Sequence, residues 1–98
     1  MAMIDLVVVQ PMVTDLGLST EVVRTVESVM MPQVGQKIRD RTFGPDTDLA
    51  IENVVIDYLT EECFVYLVPV RLNDADENEL RNHAQEYERR GWEWPRPI

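Results

Sequence analysis

Residues 49–72, LAIENVVIDYLTEECFVYLVPVRL, carry the strongest indication of fold in this 98-residue chain. The two halves of this stretch are rich in β-branched and aromatic residues, and only Thr60, Glu61 and Glu62 separate them. So short a gap between two strand-like runs predicts an antiparallel hairpin. Pro69 interrupts the second run. Because proline lacks an N–H, we expect Pro69 to lie past the paired stretch or at a β-bulge.

The N-terminal half predicts a strand followed by a helix. Residues 3–9 (MIDLVVV) form a nearly continuous apolar run that Pro11 ends, as expected of a buried strand. In residues 19–30 the apolar side chains recur at spacings of one, three and four, which predicts a helix with Ser19 as its N-cap. Pro32 would then kink this helix or begin a second short one.

The C-terminal part predicts a second helix and an extended tail. Asp74 and Glu77 have the spacing of a capping box, and Gly91 stands where a C′ glycine ends a helix. The Trp–Glu–Trp alternation of the tail places Trp92 and Trp94 on one side of an extended segment. The two prolines that follow allow this segment to be at most an edge strand.

These elements predict one α+β domain over residues 1–98, in the order β-α-β-β-α with a short fourth edge strand from the tail. This is the split βαβ, or ferredoxin-like, order of a two-layer sandwich. Its first and third strands are central, and both are apolar on both faces. Since both helices of that arrangement cover the same face, the other face would stay apolar and exposed, which predicts a homo-oligomer.

Composition restricts the partners. The chain has 18 acidic and 9 basic side chains, a formal charge of −9. Nucleic acid and anionic membrane surfaces attract clustered Lys and Arg, so we expect neither as a direct partner, and instead a protein with a basic surface. Cys63 is the single cysteine, so no intrachain disulfide forms. The absence of any apolar run near the ~20 residues of a membrane span favours a cytoplasmic protein.

Few residues suggest catalysis. One histidine, His83, and one cysteine, Cys63, are too few for a closed zinc site, so we expect no metal and no cofactor. Glu79 and His83 lie one helical turn apart and could act as a general base, as could Asp57 in its strand. We favour structural roles for these residues, and therefore no catalytic residues and no enzyme activity.

The acidic segment and the tail are the predicted partner-binding residues: Asp74, Asp76, Glu77, Glu79, Trp92 and Trp94. Carboxylates there could equally stabilise a helix N-terminus, and the indoles could cover the protein's own core. The hairpin acids Asp57, Glu61 and Glu62 are the next choice for the contact surface.

Three functions stay open on the sequence alone. The first is a non-catalytic interaction or assembly subunit. The second is an acidic inhibitor, of the immunity or phage anti-defence type, that occupies a basic, nucleic-acid-binding surface of its partner. The third is a small dimeric α+β enzyme, which rests on fold analogy alone.

Overall fold

The structure, a computed structural model, describes residues 3–39, 48–73 and 75–96, without the side chains of Arg39 and Asp48. The elements of the described residues are β1 (Ile4–Thr14), β2 (Ser19–Ser28), β3 (Lys37–Arg39), β4 (Asp48–Asp57), β5 (Glu62–Leu67), β6 (Val70–Leu72) and α1 (Glu77–Arg89). Strands account for 51% of the described residues. They form one curled, mixed sheet that resembles half a barrel. The predicted ferredoxin-like α+β sandwich with two helices is therefore wrong.

The error lies in residues 19–30, because Ser19–Ser28 form strand β2 and not a helix. β2 pairs antiparallel with β1 along almost its whole length, from Ile4↔Ser28 to Val13↔Ser19. Its valines and threonines have stiff side chains that favour strands, and this pairing outweighs the helix-like spacing. The kinked or second helix predicted at Pro32 is also absent from the described residues, which run there as bends and turns into β3.

The sheet contains the predicted hairpin, but its strand order is not the predicted one. The strand order is β2-β1-β5-β4-β3. β1 and β5 run parallel, from Leu6↔Cys63 to Val9↔Tyr66, so the first strand and the strand after the hairpin turn are adjacent. β4 and β5 form the predicted antiparallel hairpin. β1 is longer than predicted, since it continues through Pro11 to Thr14.

The strand beside β1 breaks between β5 and β6, and Pro69 lies in the break as predicted. The flanking pairs are Val9↔Tyr66 and Met12↔Val70. Two residues of β1 therefore lie opposite three residues of its neighbour, which is the count of a β-bulge.

The side chain of a buried glutamine bridges this break with hydrogen bonds. The side chain of Gln10 is 1% exposed. Its Nε2 donates to the carbonyl oxygen of Val68 at 3.0 Å and to that of Pro11 at 2.9 Å. Two prolines at the break supply no backbone N–H, so a side-chain amide provides the donor that the carbonyls need.

Helix α1 packs on β1 and β2, and both of its ends are capped. Asp76 is the N-cap and accepts from the N–H of Glu79 at 2.9 Å. The predicted cap, Asp74, lies outside the described residues. At the other end the N–H of Trp92 donates to the carbonyl of Tyr87 at 3.1 Å, and Gly91 has a φ of +96°. These are features of a Schellman motif, so the predicted C′ role of Gly91 is confirmed.

The tail then folds back along β2. Val23 and Glu93 exchange two backbone hydrogen bonds of 2.8 Å, so the tail covers the outer edge of β2. Trp92 and Trp94 both face the core, on one side of the extended segment as the alternation predicted. The buried cluster consists of Leu6, Val8, Met12, Val22, Ile51, Cys63, Val65, Leu67, Leu80, Ala84, Tyr87, Trp92 and Trp94.

The one helix of the described residues is too short and too polar to cross a membrane.

Candidate interaction surface

The predicted acidic segment mainly serves its own helix. Asp76 caps α1, and Glu77 Oε1 lies 3.1 Å from Arg81 Nη2 in an i,i+4 ion pair. Glu79 is exposed in the first turn, where a negative charge complements the helix dipole. Asp74, the remaining member of this segment, is not among the residues that the structure describes. These positions favour the capping alternative over a docking face.

The two tryptophans belong to the core. Trp92 is 4% exposed and Trp94 is 9% exposed. The rings of Trp92 and Tyr87 form a T-shaped pair with a centroid distance of 5.4 Å and an interplanar angle of 88°. Aromatic pairs in this arrangement contribute to packing. Both indoles thus cover the protein's own core, which is the alternative given above for the tail. In this conformation neither is free to anchor a partner.

Cys63 and His83 lie in separate surroundings. Burial raises the pKa of the Cys63 thiol, whose Sγ lies 3.9 Å from Met31 Sδ. Burial lowers the pKa of His83, with an opposing contribution from Glu86. No hydrogen bond joins the two side chains, and the described residues contain no cluster of His, Cys, Asp and Glu that could hold a metal ion. The arrangement provides neither an activated thiolate nor a charged imidazole at neutral pH.

The sheet has a second apolar face, opposite α1 and the tail. We call this the outer face; the register places on it Val7, Val9, Pro11, Val13, Val23, Val55, Phe64 and Tyr66. Val9 is buried among these neighbours, Val55 is 43% exposed, and the other six are half-buried. No described helix packs on this face, because α1 lies over the core face. On the first and third strands, the apolar character of this face agrees with the prediction from the sequence.

A row of carboxylates borders the outer face at one end. The register pairs Asp5 with Glu27 and Asp57 with Glu62, and it places Asp5 beside Glu62. The four side chains thus lie on four adjacent strands, about 4.8 Å apart from strand to strand. Like charges directly opposite in a sheet are destabilising. We call these residues the acidic row.

Only part of the acidic row could be found from the sequence. Asp57 and Glu62 are close together in the hairpin and were recognised as an acidic group. Asp5 and Glu27 are remote from it along the chain, and they join it only through the pairing of β1 with β2 and β5. The helical interpretation of residues 19–30 concealed the position of Glu27.

The hairpin tip is the most exposed apolar feature of the described residues. Tyr58 is 85% exposed and Leu59 is 96% exposed. Asp57 Oδ1 shapes the turn by accepting from the N–H of Leu59 at 2.9 Å and that of Thr60 at 3.3 Å. Glu61 completes the turn in the left-handed region, with a φ of +58°.

An open cavity of about 560 Å³ lies on the core side of the sheet, between the end of β2 and strand β3. Met30, Met31 and Ile38 contribute apolar lining, and Gln36 and Lys37 are among its polar residues. The volume falls in the range of small-molecule pockets, but this lining does not select one class of ligand.

No known protein family, curated protein or solved structure matches this chain.

Proposed function

We propose that this protein is a non-catalytic interaction or assembly subunit that binds another protein through its outer face. The apolar outer face, on which α1 does not pack, is the observation that supports this proposal. Large contiguous apolar patches on soluble proteins mark interaction sites more often than inert surface. Its aromatic residues, Phe64 and Tyr66, are of the kinds enriched at protein interfaces.

The charge around the outer face indicates the chemistry of the partner. Besides the acidic row, the register places Glu21 and Glu93 on this side, with Arg71 as a basic residue among them. The partner surface that fits best has an apolar centre and a rim of Lys and Arg. Opposite charges around an interface accelerate association and make it sensitive to salt. The single buried thiol suits a reducing, cytoplasmic setting.

The test uses the whole chain as bait in extracts from its native source, followed by calorimetry with the purified partner. Tyr66→Gln alters the outer face, and Tyr58→Gln makes the same change at the exposed hairpin tip. We expect Tyr66→Gln to weaken binding by at least about tenfold, and Tyr58→Gln to leave it unchanged. The reverse result would move the contact surface to the hairpin tip and overturn the proposal.

A charge reversal separates the two acidic regions. Glu27→Lys changes the acidic row, whereas Glu79→Lys changes the exposed first turn of α1. If the row faces the partner, Glu27→Lys reduces both the affinity and its salt dependence, and Glu79→Lys changes neither. Loss of binding with Glu79→Lys alone would instead make the acidic segment at the start of α1 the docking site.

The acidic row also favours a second candidate function, the inhibitor that occupies a nucleic-acid-binding surface. Carboxylates aligned across four strands offer repeated acceptors to Lys and Arg that otherwise contact phosphates. If the partner is such a protein, added DNA or RNA competes with this chain for it. If nucleic acid does not affect the binding, only the assembly function is supported.

A further inference from the structure

Part of one edge of the sheet has no partner strand among the residues that the structure describes. β3 covers β4 only from Lys37↔Ala50 to Arg39↔Asp48. The loop before β3 then satisfies both backbone groups of Ile51, which bond Gln36 O at 2.9 Å and Gly35 N at 3.1 Å. Beyond that point no described residue pairs with residues 53–57 of β4 on the side away from β5. The opposite edge of the sheet, in contrast, is covered by the chain's own tail at Glu93.

At this edge, a neighbouring side chain accepts the hydrogen bond of one backbone N–H group. The N–H of Val54 donates to the Oδ1 of Asn53, its own neighbour, at 3.0 Å. Val55 and Ile56 are each 43% exposed. Natural proteins protect edge strands with lysine, proline or bulges. Residues 53–57 contain no lysine or proline, and the bulge of β4 lies before them, between Ile51 and Asn53.

We infer that residues 53–57 of β4 pair antiparallel with the same residues of a second copy of this chain. The pairing is centred on Val55, and a twofold axis passes between the two copies of this residue. Val54 then lies opposite Ile56 of the partner subunit, and Asn53 lies opposite Asp57 of the partner subunit. The two sheets join into one continuous sheet, and no edge remains along these residues.

Backbone geometry limits the alternatives. Alternate residues of a strand direct their N–H and C=O groups to opposite sides, so only residues of like parity can pair. The neighbouring permitted registers are centred on Val54 or on Ile56. The first places Asn53 opposite Val55 of the partner subunit, and the second places Val55 opposite Asp57 of the partner subunit. Only the register centred on Val55 matches apolar with apolar and polar with polar side chains.

The charge of this edge also favours pairing with a second copy of the chain. The charge of the outer face does not. Asp57 is the single charged residue among residues 53–57. In the proposed register it faces an asparagine amide, which donates a hydrogen bond to a carboxylate. The inference goes beyond the proposed function, since it concerns the edge of β4 and does not need the outer face.

The test measures the mass of the full chain by sedimentation, from micromolar to submillimolar protein. We expect a dimer, twice the 11.4 kDa of one chain. Ile56→Lys places a charge at the edge and should weaken the dimer by at least about tenfold. Val34→Lys makes the same change at a turn residue that is 62% exposed, and it should leave the dimer unchanged. Circular dichroism verifies that each variant is folded.

A side-chain exchange tests the register itself. Asn53→Asp places two carboxylates opposite each other and should weaken the dimer. Adding Asp57→Asn to this variant exchanges amide and carboxylate, which should restore the dimer; asparagine can still shape the turn through its Oδ1. A monomeric wild type, a dimer insensitive to Ile56→Lys, or a double variant without rescue would overturn the inference. Tyr66→Gln should leave the mass unchanged, so a failure here is distinguishable from a failure of the proposed function.

Discussion

The indole Nε1 of Trp94 donates to the Oγ1 of Thr20 at 2.7 Å, a contact between residues 74 positions apart in the chain. A buried indole N–H needs an acceptor, and this hydroxyl provides one at the far edge of the sheet. Together with the Val23–Glu93 bridge, the hydrogen bond fixes the tail against β2. The tail is therefore part of the folded domain and contributes to its stability.

Removing the acceptor should destabilise the protein. Thr20→Val keeps the shape of the side chain but leaves the Trp94 N–H buried without a partner, which costs about 1–3 kcal/mol. Thr20→Ser keeps the hydroxyl and should be affected much less. Urea unfolding followed by tryptophan fluorescence measures both. Equal stabilities of the two variants would show that water can replace the threonine.

The bridge that Gln10 makes across the strand break should be equally sensitive. Gln10→Leu leaves the carbonyl of Val68 without its donor, and we expect a loss of about 1–3 kcal/mol in the free energy of unfolding. At neutral pH, Gln10→Glu should lower the free energy of unfolding further, because a buried carboxylate would face two carbonyl oxygens. Since a protonated carboxyl group can donate, the difference between Gln10→Glu and wild type should shrink in acid. A pH-independent difference would contradict this account of the break.

Stability should fall in mild acid because of His83. Burial holds its pKa below the ordinary value of 6.5, so between these two values the unfolded chain binds more protons than the folded one. Stability is therefore complete above about pH 6.5 and decreases as the pH falls toward the lower, folded-state pKa. His83→Gln should flatten this part of the urea-stability profile. The hydrogen bonds from Arg89 and Arg90 lower the pKa of Glu86, so its own effect appears at more acidic pH.

Repulsion within the acidic row should lower the free energy of unfolding. Glu27→Lys turns the like-charge pair with Asp5 into an opposite-charge pair, which we expect to stabilise the fold by about 0.2–1 kcal/mol, toward the lower end because both residues are exposed. High salt should reduce the gain. Thermal unfolding in low and high salt measures it, with Glu79→Lys as control. A variant that is more stable yet binds its partner less tightly would indicate that the row is kept for recognition.

The sequence predicted the hairpin, α1 and interior positions in the sheet for the first and third strands, because those signals are local or strongly apolar. It failed at β2, where Val22, Val23 and Val26 have helical spacing. Arg24 lies half-buried on the core face of β2, between Val22 and Val26, and so obscures the period of two that would have indicated a strand. Long-range pairing with β1 decided the outcome, and no local pattern contains that information.

The candidate surfaces depended on the same information. The apolar character of the outer face could be read from β1 and β5 one strand at a time. The acidic row required the register of four strands, and the edge of β4 that has no described partner strand required the full strand order. The indoles of Trp92 and Trp94 were correctly placed on one side of the tail, but only the bridge to Val23 turns that side toward the core.

The parallel pairing of Leu6 with Cys63 has a consequence for how the protein acquires its structure. β1 leaves the ribosome before β5, and its hairpin with β2 can form at once. Its other neighbour is synthesised only after more than half of the chain. Closing so long a loop is entropically costly, and high contact order slows folding. Until β5 arrives, the edge of β1 that pairs with β5 stays without a partner, which is the state in which nascent strands associate wrongly. The time between the synthesis of β1 and that of β5 is therefore when we expect this protein to depend most on chaperones.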